Sequence, residues 1–333
     1  EPKEPIEGNE DAQSNEETPS DEQFDVPLPD NATDFEFLHN KKKFELFCKL
    51  PELEAQSTVL SISPETFQTT KFFLDGHFNR GSHVRLSKSE DASVKDIKVN
   101  VTVYAGQAEL QSEALISAFE NKGDYIVQLE REHKRPPPFE FPPSKPDQKH
   151  CLLYTIDIEF PQETEYFESL ELFAHDMLIK GGKGIQDIEF GSVKAHIKHG
   201  AILFDGLKAK TIKLGVLHGV VMGTYQPEKK FLAATVHGAT KVKIEPTQED
   251  IKIAAASIHG PASVELAADH YTGGFALFNA WGPASTIVAP QPEEIHVTEL
   301  KHGVKAGYYK EENKESRVIV DARFHGAPAL YLK

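Results

Sequence analysis

A glycine returns along the second half of the chain at Gly200, Gly219, Gly238, Gly260, Gly282, Gly303 and Gly326, at intervals of 19, 19, 22, 22, 21 and 23 residues. A short β-prone run follows it each time, among them "AILF", "ATKVKI", "PASVEL" and "APALYL". "HGPASVEL" at 259–266 and "WGPASTIV" at 281–288 agree through the serine, which keeps Gly282 in the series. A period near 20 with a fixed glycine and β-prone flanks predicts a chain wound in stacked coils, because no single unit of that size buries its apolar face alone. The glycine then marks a corner, where the backbone takes positive φ or passes too close to the next coil for a Cβ. A degenerate eighth copy begins at Gly181 on the same reading. The expected architecture is an all-β solenoid, similar to a parallel β-helix, of seven or eight coils over residues 151–333.

The residue before each glycine is His199, His218, His237, His259, Trp281, His302 and His325. On consecutive coils these side chains form a ladder. The plainest role for it is structural, with stacked imidazoles capping corners as amide ladders do in other stacked sheets. Two chemical alternatives stay open. Imidazolium charges about 5 Å apart would repel, making the ladder acid-sensitive. Neighbouring rungs His199, His218, His237 and His259 could also offer nitrogens to Zn²⁺ or Cu²⁺, although no carboxylate or thiolate accompanies these corners in the repeat. The expectation is no metal and no cofactor.

Upstream, "DIKVNVTVY" alternates cleanly, with Ile97, Val99, Val101 and Val103 on one face and Lys98, Asn100, Thr102 and Tyr104 on the other. "STVLSIS", "KFFLDGHFNRGSHVRL" and "GDYIVQLERE" read as further strands. A smaller antiparallel β-domain is therefore expected over 40–133. Six prolines between Pro136 and Pro146 make 134–150 a stiff connector. Residues 1–39 form an acidic tail: thirteen carboxylates against Lys3 within the first 36 residues, out of a net charge of −16 for the whole chain. So little apolar material cannot offset ordering entropy, and the tail is expected to be disordered.

The rest of the chain is mildly acidic without a basic stripe, which argues against nucleic acid. No window approaches the ~20 apolar residues of a membrane span, so membrane attachment would need a segment outside this sequence. Cys48 and Cys151 are too few for a disulfide scaffold and lack metal-ligand spacing; a bridge between them would be worth roughly 4 to 5 kcal/mol in the chain-entropy model. Asn31 and Asn100 stand in glycosylation sequons, with Asn100 expected to face solvent. Together these favour an extracellular or cell-surface protein.

Catalytic patterns are missing. Asp205, Asp250, Asp269 and Asp321 fall at unrelated phases of the repeat, unlike the paired carboxylates of enzymes acting on polysaccharides. No Gly-x-Ser-x-Gly, His-Glu-x-x-His or phosphate-cradling loop is present. The reading is non-catalytic.

"ATVHGATKVKI" at 234–244, with Thr235 and Gly238 in place, resembles the coil pattern of the putative-adhesin β-strand-repeat family of bacterial and fungal surface proteins. "LLYTIDIEFPQETEYFESLEL" looks like that family's entry strands, and the likeness spans about 151–333. The departure is His where the family carries a small polar residue. The resemblance implies a secreted or surface domain that binds a glycan or protein, and it transfers no active site. Stacking of copies through "GAPALYL", uncharged until Lys333, is the alternative, since that end of the coil stack is expected to lie open. A polysaccharide-active enzyme is the rival from another class.

Overall fold

Strict alternation in β4 (Ile97–Ala105) buries Ile97, Val99, Val101 and Val103 while Lys98 stays exposed, which is how period-2 patterning builds a one-sided core. The computed structural model describes residues 48–76, 78–132, 148–281 and 284–333. The acidic tail with Asn31, nearly all of the proline-rich connector, and Gly282 lie outside these residues. What is described is mostly β: seventeen strands joined in one mixed sheet, with one four-residue helix at Ala108–Gln111. No helix among the described residues is long and apolar enough to cross a membrane.

The first part contains β1 (Glu54–Ile62), β2 (Thr69–Leu74), β3 (His83–Lys88), β4, β5 (Ala114–Asn121) and β6 (Asp124–Arg131). Antiparallel pairs β1–β4 and β5–β6 are there, yet β2 and β6 run parallel. Then follow β7 (Leu152–Phe160), β8 (Tyr166–Gly181) and β9 (Glu189–Ile244). β4 pairs antiparallel with β7, whereas β2 and β3 pair parallel with β8, so the early strands join the later ones directly. Asn100 lies opposite the buried Val99 and Val101 face and is half-buried, flanked by Val59 of β1 and Asp157 of β7, with its Oδ1 shielded.

β9 spans 56 residues, which fully extended would reach roughly 180 Å. Yet the His199 and His218 rings, 19 residues apart, have centroids 4.8 Å apart. β9 therefore turns back over itself, each pass lying on the last at the ordinary inter-strand spacing. β8 lies parallel on the start of β9 at an offset of 23 (Tyr166↔Glu189), and β10 (Lys252–His259) and β11 (Ala262–Leu266) lie parallel on its end at an offset of 22. The offsets pile apolar residues into columns. Val193, Ile212, Phe231, Ile253 and Val318 form one, and Ala195, Leu214, Ala233, Ala255 and Val320 another, all buried. Burial of such columns is what holds each pass to the next.

The remaining strands are β12 (Gly273–Phe278), β13 (Thr286–Val288), β14 (Ile295–Lys301), β15 (Val304–Tyr309), β16 (Arg317–Phe324) and β17 (Pro328–Leu332). Their order corrects two expectations. β16 and β17 insert between passes, pairing parallel with β10 and β11 on one side and with β12 and β13 on the other. "GAPALYL" is thus paired on both edges and is not an open end. His302-Gly303 is no corner either: it is the turn of the β14–β15 antiparallel hairpin, with Gly303 at φ +76°.

Cys48 and Cys151 are joined by a disulfide with Cα atoms 5.7 Å apart, packed with Leu53 and Leu153. It ties the segment before β1 to the start of β7 across 103 residues of sequence. Replacing both cysteines by alanine is expected to cost about 2–5 kcal/mol, with the chain-entropy value for so long a loop at the upper end, because that loop regains its freedom in the unfolded chain. Denaturant titration of the variant against the oxidised protein measures it.

Candidate functional site

The corners are where the winding brings chemistry together. Gly200 and Gly219 have φ of +137° and +146°, and a Cβ on Gly219 would fall on the carbonyl of Gly200. Gly238 sits in the same way on Gly219, and Gly326 on Gly260. These five corners form one column. On the pass before them the residue in register with Gly200 is Met177, so Gly181 does not begin a further copy of the repeat.

Each preceding histidine inherits the column. His199–His218, His218–His237 and His237–His259 stack at 4.8, 4.7 and 5.1 Å, with ring planes within 8–10° of parallel. After His259 comes the inserted pass, where Phe324 is in register and tilted at 5.6 Å and His325 lies at 6.4 Å. The pairing offset changes there from 65 to 66 residues, and His325 absorbs the extra residue at φ +60°. Trp281 is 75% exposed, and His302 is in its hairpin turn, so neither carries the ladder on.

Parallel stacking has a chemical consequence. The lone pairs of an imidazole lie in its ring plane, so rings stacked face to face cannot aim them at one point. The stacked rungs are poorly suited to chelate a metal between them. Burial lowers the pKa of His199 and His218; neighbouring imidazoles and Lys198 add to the lowering, and Asp176 opposes it at His199.

At its other end the ladder changes character. Asp176 of β8 is in register with His199, and His175 precedes it. His175 Nδ1 is 2.8 Å from Asp176 Oδ2, and His199 Nδ1 is 3.4 Å from Asp176 Oδ1. The His175 and His199 rings lie 5.6 Å apart but are inclined by 48°. The repeat suggests no acid at these corners; the structure supplies one. Alignment on glycine hides it, because Met177 fills the glycine position and "His175-Asp176-Met177" matches "Lys198-His199-Gly200" only at an offset of 23. A second stack, Phe73–Phe173–His196 at 5.3 and 5.7 Å, also crosses three passes and was not legible from the repeat.

The acids weighed as catalytic candidates have other partners or positions. Asp321 bonds to Arg323, and burial raises its carboxyl pKa; Asp250 accepts from Asn313; Asp205 and Asp269 are exposed.

No protein-family model and no curated protein sequence matches the chain. Several structural neighbours are described as putative adhesins or putative cell adhesion proteins. A putative cell adhesion protein from Clostridium sporogenes is 11% identical, covering 84% of this chain and all of its own, with a TM-score of 0.37. A putative adhesin from Bacteroides fragilis is 9% identical over 84% of this chain and 97% of its own, at 0.34. A putative lipid binding protein from Parabacteroides distasonis is 10% identical over the same shares, at 0.27.

Proposed function

We propose that the chain is a non-catalytic, adhesin-like surface or secreted protein whose second half is a β-solenoid presenting long outer faces to a glycan or protein. The observation that carries this reading is the in-register parallel pairing from β8 through β13, with corner glycines and side-chain columns repeating along one edge. Such a stack repeats the same surface at each pass, which suits a polymeric or extended ligand better than a small molecule. The disulfide fits an oxidising compartment. The candidate acids discussed above supply no acid–base pair for the hydrolytic rival.

Self-association remains a second reading, moved from the C-terminal strand to other edges. Among the described residues β1, β5, β13 and β14 each pair on one side and expose Val59, Leu115, Phe119, Val288 and Leu300.

Incubation with a panel of acidic and neutral glycans and matrix proteins tests the proposal. Saturable retention with no new reducing ends is expected. Turnover of any glycan would overturn it, and sedimentation of the same sample separates ligand binding from association of copies.

A further inference from the structure

The His175–Asp176–His199 cluster differs from the stacked rungs of the ladder in two ways. It contains a carboxylate that lies between two imidazoles: His175 Nδ1 bonds to Asp176 Oδ2, and His199 Nδ1 stands 3.4 Å from Oδ1. Its rings are inclined by 48° where the stacked rungs are within 10° of parallel. In-plane lone pairs on inclined rings can converge, which stacked rings forbid. His199 Nδ1 is, in addition, shielded from solvent without a hydrogen-bond partner, an unfavourable state for a buried polar atom unless something else satisfies it.

One ligand atom from each of the three residues lies within 4.8 Å of the others, and all three side chains are half-buried. Among the described residues this is the one group of three such side chains that gathers in this way. We propose that His175, Asp176 and His199 bind a divalent first-row transition ion of the Zn²⁺ class at the head of the imidazole ladder.

The donor set selects the ion. Two imidazole nitrogens and one carboxylate oxygen suit Zn²⁺, Cu²⁺ or Ni²⁺. Ca²⁺ takes six to eight oxygens and Mg²⁺ an octahedron of them, and a single carboxylate provides neither. No thiolate is available to favour Cu(I), because both cysteines of the chain are in the disulfide. Three protein ligands leave a fourth position open on a half-buried surface, where water or a donor from a bound partner completes the shell. This site is independent of the adhesin-like reading.

Lys198 opposes the ion. Its exposed Nζ is 3.3 Å from His175 Nε2, which keeps that nitrogen an acceptor and the proton on Nδ1. Metal binding through Nδ1 moves the proton to Nε2, so the Lys198 ammonium must swing into solvent. Removing its charge therefore strengthens binding.

Calorimetric titration of the chelator-treated full chain with ZnCl₂ tests the site. One ion per chain is expected, with Ca²⁺ giving no competition; Ca²⁺ displacing Zn²⁺ would place the ion on carboxylates elsewhere and overturn the proposal. Asp176→Asn and His199→Gln are expected to weaken binding by at least about tenfold. His218→Gln, whose ring is stacked and outside the cluster, leaves it unchanged. Lys198→Gln, on an exposed side chain that folding does not need, tightens it several-fold and keeps the test decisive if Asp176→Asn fails to fold. Absence of binding at millimolar Zn²⁺, or equal losses from His218→Gln and His199→Gln, would refute the site.

Discussion

Gly219→Ala is expected to destabilise the protein by about 3–5 kcal/mol, whereas Gly123→Ala costs about 1. Both glycines have positive φ, +146° and +86°, so both substitutions strain the backbone. Space separates them. A Cβ at Gly123 meets nothing within 4 Å, while one at Gly219 falls on the Gly200 carbonyl in the pass beneath. That carbonyl cannot move alone, because Gly200 lies in the same way against Met177 and Gly238 against Gly219. Relief would push passes apart and open the buried column of Ile197, Val216, Thr235 and Ser257 beside the corner. Thermal and denaturant unfolding of the two variants measure the difference. Equal losses would mean that φ alone requires the glycine and that the passes are not in contact at the corner.

The same contact explains how much of the architecture can be read from the residues. Gly200, Gly219, Gly238 and Gly326 recur because a backbone passes too close for any side chain, and such steric demands leave a mark at a fixed residue type. The choice of neighbour leaves none. "RVIVDARF" at 317–324 presents the same apolar alternation to β10 as to β12, so its insertion between them is a matter of chain path that no local pattern records. His302-Gly303 imitates a corner dipeptide for another reason, since a hairpin turn also calls for glycine at positive φ. Met177 hides the head of the ladder in the opposite way. Its backbone occupies the corner without the conformation that makes glycine necessary, and the histidine–acid pair beside it then has no visible phase.

Acid is expected to destabilise the protein through the ladder before its carboxylates titrate. His199 and His218 have pKa values held below the ordinary 6.5, first by burial and then by their imidazole neighbours. A lowered histidine pKa means that the unfolded chain binds more protons, so stability is complete above about pH 6.5 and is lost as pH falls through the folded values. Spacing sets the size of the effect. With His199, His218, His237 and His259 all protonated, three neighbouring pairs of like charge stand 4.7–5.1 Å apart. Each pair costs roughly 1 kcal/mol with the dielectric of bulk water and roughly 3 at an effective dielectric of 20. Asp176 relieves His199 alone, while Lys198 and His175 add positive charge at that end. The midpoint of thermal unfolding, followed by circular dichroism, should fall by roughly 5 °C or more between pH 7.5 and 5. The double variant His218→Gln, His237→Gln removes all three of these stacked pairs and isolates His199 from His259, so its midpoint should change much less over that range even if it starts lower. Parallel declines in the two proteins would assign the acid sensitivity to groups outside the stack, leaving the imidazoles as packing alone.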